Sequence, residues 1–153
     1  MINIISIILA ALASAGFAPA QRGEQVVVNP PPVVVEATGI FGLPFAPAEL
    51  DGCDKVAFYA EQFGLPGDWT RRIAFRESRC SNHLTSSTGC CRGIMQLDVN
   101  LHLRDHRLGW RYRDNCGVNG ISDVFGDDPL QWQKHMCAAK QLHDVLGSQP
   151  WNL

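Results

Sequence analysis

The segment from Asp68 to Cys80, DWTRRIAFRESRC, has the residue spacing of an amphipathic helix. Asp68 is a favourable N-cap, and the pattern predicts a helix from Trp69 to about Arg79. The inward face of this helix consists of Trp69, Ile73 and Cys80. Glu77 follows Ile73 by four residues and therefore lies on the same face. A carboxyl group among apolar neighbours makes Glu77 the first candidate for a functional residue.

Another helix is predicted upstream, from Gly52 to Phe63. Asp51 can cap its beginning, and Gly64 supplies the left-handed residue that ends it. Its apolar face comprises Cys53, Val56, Ala57, Ala60 and Phe63. This spacing matches one side of a helix and predicts packing against the rest of a small core.

The clearest helix is the last one. Asp127 or Asp128 caps it, Pro129 occupies its first turn, and Gly147 ends it. Its buried stripe comprises Trp132, Met136, Ala139, Leu142 and Leu146. We interpret this stripe as core packing rather than as a cofactor site.

The chain between these helices is less regular. Residues 81–92 are rich in Ser, Thr, Asn and Gly, which is typical of a loop or a short hairpin. Residues 93–103 are mostly apolar and predict the beginning of another helix. Residues 104–126 have no clear period and predict irregular chain with short helices. The whole pattern predicts one mainly helical domain with a reduced β-hairpin or loop.

Composition excludes several classes of protein. The chain has 153 residues, of which 46% are hydrophobic, and its formal net charge is −2. A nucleic-acid-binding protein normally carries a basic excess, so nucleic acid is not the expected partner. The hydrophobic content also argues against a disordered chain.

The N-terminal third is not part of the predicted core. Met1 to Ala20 contains a short apolar run that ends in Ala18-Pro19-Ala20, which predicts a secretory signal peptide cleaved after Ala20. A retained anchor is the alternative, but the run is shorter than a membrane span requires. Residues 21–49 contain many prolines and valines and predict a poorly packed linker arm. The folded domain then covers residues 50–153, with no stable membrane span and a secreted location.

Six cysteines in so short a chain predict disulfides formed in an oxidising compartment. We expect no bond between the adjacent Cys90 and Cys91, because such a bond is strained. Cys80 is expected to pair with one of them and to rigidify the loop after Glu77. The other one is expected to reach Cys53, Cys116 or Cys137. The spacing does not match a zinc site, and no metal or other cofactor is predicted.

The predicted position of Glu77 indicates acid chemistry. Burial disfavours the charged form of a carboxyl group, and so does the negative end of a helix dipole. A carboxylic acid that keeps its proton is what glycosidic bond cleavage requires, because the leaving oxygen must be protonated. The alternative is a Glu77 side chain paired with Arg76, Arg79 or Arg92.

The order of several motifs resembles the lysozyme-like lytic transglycosylases, of the soluble-lytic-transglycosylase type found in small secreted actinobacterial and phage proteins. The motifs are Glu77-Ser78, the polar loop Ser87-Thr88-Gly89 and Gly93-Ile94-Met95-Gln96. The ending Pro150-Trp151 is similar to that of the family as well. The resemblance covers roughly residues 50–151.

The resemblance implies a fold, a substrate and a set of site residues. The fold would be lysozyme-like, within the α+β superfamily, and the substrate would be the glycan strand of peptidoglycan. The bond cut would join N-acetylmuramic acid to N-acetylglucosamine. Glu77 would act as general acid and then as general base, and Gln96 would bind the sugar or Glu77. Ser87 would lie near the acid, Met95 would pack beneath it, and the protein would be a monomer.

Two alternatives stay open. A hydrolase of the same bond, a muramidase, needs a second carboxylate, for which Asp98, Asp105 and Asp114 are the candidates. A transglycosylase needs none, because the 6-hydroxyl of the sugar attacks, and the single clear acid favours this reaction. The chain also has three residues between Gly89 and Gly93 where the family has two. This departure favours a second alternative, a catalytically inactive wall-binding module.

Overall fold

A computed structural model describes residues 38–151 of the chain. The predicted signal peptide and residues 21–37 of the predicted arm lie outside the described residues. The described chain is mainly helical, as the sequence predicts, with four α-helices and several short helical turns. The α-helices are α1 (Gly52–Gln62), α2 (Gly67–Ser78), α3 (Val99–Arg104) and α4 (Pro129–Leu146).

Local signals begin and end α1 and α4 as predicted. The Asp51 carboxylate accepts a hydrogen bond from Asp54 N at 2.8 Å and caps α1. Gly64, with φ of 74°, ends that helix. At α4 the Asp128 carboxylate accepts from Leu130 N, and the Gln131 side chain accepts from Asp128 N in return. Reciprocal bonds of this kind satisfy amides that would otherwise lack partners at a helix N-terminus.

The beginning of α2 differs from the prediction. The helix begins at Gly67 and is preceded by Pro66, so Asp68 lies in the first turn and is not the N-cap. The Pro66 carbonyl accepts both the amide and the hydroxyl of Thr70, each at 2.9 Å. The φ of Pro66 is fixed by its ring, and its carbonyl accepts the first hydrogen bond of the helix. The helix therefore begins at Gly67, two residues before the predicted start at Trp69.

Residues 85–97 form what we call the hairpin. Thr85 and Leu97 each make an antiparallel bridge to Arg92, so three short segments lie side by side. The Ser86 amide donates to the Cys91 carbonyl at 2.8 Å across the first turn. The bridges are isolated and no longer strand forms within residues 38–151, which agrees with the predicted reduced hairpin.

The core lies between α4 and the pair α1 and α2. The predicted stripe of α4 is buried at Trp132, Met136, Ala139 and Leu142, and Leu146 is partly buried against the same core. The inner residues of α1 and α2 meet it, including Val56, Ala60 and Ile73. Within residues 38–151, no helix combines the length and apolar character needed to cross a bilayer.

The end of the predicted arm is packed on the domain. The Gln133 side chain is fully buried and accepts from Ile40 N at 2.9 Å. It also donates to the carbonyls of Leu43 and Pro44, at 3.2 and 3.0 Å. The Tyr59 hydroxyl accepts from Ala46 N. For its described part, the arm is therefore not the poorly packed segment that the prolines predicted.

The disulfide pairing corrects our expectation. Cys53 pairs with Cys80, Cys116 pairs with Cys137, and the adjacent Cys90 and Cys91 pair with each other. The predicted bond from Cys80 to the hairpin is wrong because the chain turns back at the end of α2. Arg79 and Cys80 both have positive φ, and this turn directs Cys80 towards the beginning of α1.

Candidate functional site

One pocket collects most of the predicted site residues. It has a volume of about 190 Å³ and lies between the end of α2, the hairpin, α3 and the chain after α4. The residues that line it are Glu77, Cys91, Met95, Gln96, Leu97, Asp98, His102, Leu142, Pro150 and Trp151. Acidic groups and apolar surface therefore face the same small space.

Glu77 is at the edge of this pocket and is not buried in the core. Its side chain is 26% exposed, so the predicted burial is wrong. The carboxylate oxygen Oε1 accepts from Arg76 Nε at 3.0 Å and from Arg76 Nη2 at 2.6 Å. The same Nη2 also donates to the Trp151 carbonyl at 3.2 Å. The sequence alternative of a Glu–Arg pair is thus present, and Arg76 orients the carboxylate.

The residue after Glu77 explains why two distant motifs occur together. Ser78 is buried, and its hydroxyl donates to the Ile94 carbonyl at 2.8 Å. The Ala74 carbonyl oxygen lies 3.1 Å from the same hydroxyl oxygen. The last turn of α2 is thereby joined to the Gly93–Gln96 turn. Glu77 and Met95 reach the same pocket because of this connection.

The Gly93–Gln96 turn forms the floor and one wall of the pocket. Met95 is fully buried, and its carbonyl accepts from Trp151 Nε1 at 3.0 Å. Met95 also lines the pocket that contains Glu77. The Gln96 amide donates to the carbonyls of Gly93 and Leu84, at 2.9 and 3.1 Å. Gln96 lines the pocket, but these bonds turn its amide nitrogen towards its own hairpin.

A buried histidine fastens this turn to α4. His135 Nδ1 lies 3.0 Å from the Val124 carbonyl, and Nε2 accepts from Met95 N at 3.0 Å. The imidazole is thus neutral, with its proton on Nδ1. Burial lowers the pKa of His135 to about 4. Sequence reasoning missed this residue, because it lies beside the apolar stripe of α4 without a motif around it.

Gly93 permits this close approach. Its φ is 76°, and a Cβ there would lie 2.6 Å from the His135 ring and 2.6 Å from Asn82 Oδ1. Asn82 is buried as well, and its side chain accepts from Ile94 N and donates to the Gly126 carbonyl. Asn82, Gly93 and His135 together hold the turn that forms the pocket floor.

Asp98 and His102 are the pocket residues on the side of α3. Asp98 caps this helix, and its carboxylate accepts from Leu101 N at 3.1 Å. His102 Nδ1 lies 3.0 Å from the Tyr112 hydroxyl. Burial lowers the pKa of His102, although the nearby Asp98 and Asp105 act in the opposite direction. Burial also raises the pKa of Tyr112, so its hydroxyl keeps its proton and can donate it to Nδ1.

The other candidates lie elsewhere. Ser87 is exposed at the tip of the hairpin and does not line the pocket, so the structure does not bring it to Glu77. The carboxylate of Asp105 accepts from the amides of Arg107 and Leu108, a capping role that lowers its pKa. Asp114 is exposed and is also outside the pocket. Of the three proposed second carboxylates, only Asp98 is in the pocket with Glu77.

Sequence reasoning did not assign Cys91, Trp151 or His102 to the pocket. Cys91 lines it, although the predicted pairing assigned it a different role. Trp151 closes the far side and packs edge-on against Trp69 with ring centres 5.8 Å apart. A signal existed for His102, which follows Asp98 by four residues and so shares its helix face.

The site is thus a small pocket with two carboxylates, one imidazole and an aromatic wall. Comparison of the chain with family models finds no match. Comparisons with curated proteins and with solved structures find no match either.

Proposed function

We propose that the protein cleaves the glycan strands of peptidoglycan between N-acetylmuramic acid and N-acetylglucosamine, by a lytic transglycosylase mechanism on a lysozyme-like fold. The observation that carries the proposal is the meeting of Glu77, Met95 and Gln96 in one pocket. These residues come from two motifs separated in sequence, and the resemblance described above associates them with one active site. The Ser78–Ile94 hydrogen bond gives a physical reason for their pairing.

In the proposed reaction Glu77 handles the proton twice. It first protonates the glycosidic oxygen as the bond to C1 of the muramic acid residue breaks. Its carboxylate then removes the proton of the 6-hydroxyl of the same residue, and that oxygen attacks C1. The products are a 1,6-anhydro ring and a free 4-hydroxyl on the neighbouring sugar. General acid–base catalysis needs one well-placed carboxyl group for these two transfers.

The surroundings of Glu77 suit this role. Arg76 donates two hydrogen bonds to Oε1 and so orients the carboxylate. Trp151 and Cys91 line the same pocket and contribute apolar surface to it. Arg76 is a positioning residue here, since it acts through Glu77 and Trp151.

A second candidate function is hydrolysis of the same bond by a muramidase. The observation that favours it is Asp98, a second carboxylate in the pocket of Glu77. A hydrolase could use Asp98 as the base that activates water or as the nucleophile. A wall-binding module without activity is the third candidate, and it predicts binding without released products.

Two features support secretion as part of the proposal. The N-terminal sequence has the pattern of a signal peptide. The described cysteines all form disulfides, which persist in oxidising compartments. We propose that the protein works as a monomer outside the cell, at the cell wall.

The test is mass spectrometry of the muropeptides released from purified walls by the oxidised chain. Glu77→Gln should reduce the release at least about 100-fold, since removal of a general acid–base group has effects of this size. Glu61→Gln is the matched control, because Glu61 is an exposed glutamate on α1 away from the pocket. It should retain full activity.

The products and one further variant separate the candidates. Anhydro-muramyl ends, with little effect of Asp98→Asn, would support the transglycosylase. Reducing muramyl ends that disappear in both Glu77→Gln and Asp98→Asn would establish the muramidase instead. Wall binding with no products from walls of several bacteria, and no effect of Glu77→Gln, would refute both enzymatic proposals.

A further inference from the structure

The disulfide between Cys90 and Cys91 differs from the other two in what it connects. It joins adjacent residues in the first turn of the hairpin, whereas the others join residues 27 and 21 positions apart. A disulfide stabilises a fold mainly by closing a long loop in the unfolded chain, and this one closes almost none. Hydrogen bonds from Ser86 N to the Cys91 carbonyl and from Cys91 N to Ser86 Oγ hold the turn independently of it.

Its exposure differs as well. Cys90 is exposed and Cys91 is half-buried in the pocket wall, while each of the other two disulfides has at least one buried member, since Cys80, Cys116 and Cys137 are buried and only Cys53 is half-buried. Attack on a disulfide requires that a thiolate reach one of its sulfurs, so access decides which disulfides react. We propose that Cys90–Cys91 is a reversible thiol–disulfide exchange site for small thiols, which enter through the pocket. This inference goes beyond glycan cleavage and does not depend on it.

The surroundings of the two sulfurs predict which one is attacked. Thr88 Oγ1 donates to Cys90 Sγ at 3.1 Å, and Ser86 Oγ lies 3.6 Å from the same sulfur. These hydroxyls can stabilise a thiolate that forms on Cys90. Cys90 is therefore the leaving group, and the attacked sulfur is that of Cys91, on the pocket side.

The pocket charge predicts which thiols react fastest. The Asp98 carboxylate lies within 4.8 Å of both sulfurs, whereas Glu77, in the same pocket, is paired with Arg76. An anionic thiol is repelled by Asp98, while a thiol that carries an ammonium group is attracted. The preferred class of reactant is a small neutral or cationic thiol or dithiol.

The exchange proceeds in two balanced steps. A thiolate attacks Cys91 Sγ, the S–S bond breaks, and Cys90 leaves as a thiolate that takes a proton from water. With a dithiol, the second thiolate attacks the sulfur of the mixed disulfide that came from the reactant and releases Cys91. The dithiol is oxidised to a cyclic disulfide, and Cys90 and Cys91 become two thiols.

The first experiment treats the native full chain with increasing dithiothreitol, alkylates the free thiols and maps them by mass spectrometry. Cys90 and Cys91 should be modified first, with the circular dichroism spectrum unchanged. A Cys90→Ser, Cys91→Ser double variant should yield no thiols under the same conditions. Reduction of Cys53–Cys80 or Cys116–Cys137 at an equal or lower concentration would overturn the proposal, as would free thiols at Cys90 and Cys91 before treatment.

The second experiment compares monothiols of different charge. Cysteamine should form its adduct on Cys91, leave Cys90 free to be alkylated, and react at least about fivefold faster than 3-mercaptopropionate, because opposite charges attract at this range. Asp98→Asn should reduce that ratio and, since Asn also caps helices, should preserve α3. Thr88→Val should slow the exchange, while Ser87→Ala, in the same turn without a contact to sulfur, should not. An adduct on Cys90, or equal rates for the two thiols, would contradict the assigned direction of attack.

Discussion

The helical framework, α1 with α2 and α4, and the hairpin are held together by different forces. The framework buries large apolar side chains and is crossed by two disulfides between distant residues. The first part of the hairpin, residues 85–92, contains no buried residue, and its one disulfide joins neighbours. The second part buries Ile94, Met95 and Leu97 in the same core as the framework, and polar contacts from Ser78, Asn82 and His135 fasten it further. The pocket lies where the two regions meet.

The largest expected effect separates the two kinds of disulfide. Replacing both Cys116 and Cys137 by Ala should lower the free energy of unfolding by about 3 kcal/mol, since the bond closes a loop of 21 residues. Replacing Cys90 and Cys91 by Ser should change it by less than about 0.5 kcal/mol, because almost no loop entropy is involved. Urea unfolding measures both. Equal losses in the two variants would break the comparison.

The next prediction concerns the free energy of unfolding at low pH. Burial lowers the pKa of His135 to about 4, below the value of about 6.5 for an exposed imidazole. Between these values the unfolded chain binds more protons than the folded one, so the free energy of unfolding falls as the pH decreases from 6.5 to 4. The expected loss is up to about 3 kcal/mol. His102, whose pKa burial also lowers, contributes with the same sign.

Urea unfolding between pH 4 and 7 tests this prediction. His135→Gln should be less stable at pH 7 and should show a flatter dependence on pH. His106→Gln, a change at an exposed histidine, should keep the dependence of the unmodified protein. A slope that is unchanged in His135→Gln would assign the acid sensitivity to other groups.

The smallest effect concerns the bond between α2 and the hairpin. Ser78→Ala leaves the buried Ile94 carbonyl without its hydroxyl donor and should cost about 1–2 kcal/mol. The variant should also lose activity, because Glu77 and Met95 would no longer be held at one pocket. Ser148→Ala, an exposed serine beyond α4, is the control for both measurements. Full activity in Ser78→Ala would show that the hairpin keeps its position without this bond.

The sequence predicts the framework better than the hairpin for a physical reason. The caps of α1 and α4 depend on residues within three positions of each other, so Asp51, Asp128 and Gly147 could be recognised directly. The predicted N-cap of α2, Asp68, was wrong because the helix begins earlier, after Pro66, which is not part of the apolar pattern. Helical spacing identified the face of α2 on which Glu77 lies and so led to the pocket. It did not predict how deeply Glu77 is buried, because burial depends on the segments that pack against that face.

The disulfides and the loop residues show the other limit of prediction. The partner of Cys80 depends on the backbone turn at Arg79 and on the position of α1, neither of which local spacing contains. The resemblance predicted Ser87 near the acid. Ser87 lies instead at the tip of the hairpin, whose direction is set by the residues at its base. His135 carried no motif at all, because a buried histidine with two backbone partners looks like any polar residue in a helix.

The two glycines at the ends of the hairpin turn differ in the space around them and therefore in how much change of sequence they tolerate. Gly89 has open space around its missing side chain, whereas Gly93 is enclosed by His135 and Asn82. Insertions and deletions between them can therefore be accommodated at the tip of the hairpin, while Gly93 keeps the following pocket residues in position. A library that varies the length and sequence of residues 87–91 but preserves Gly93 would be a practical route to variants with an altered pocket entrance.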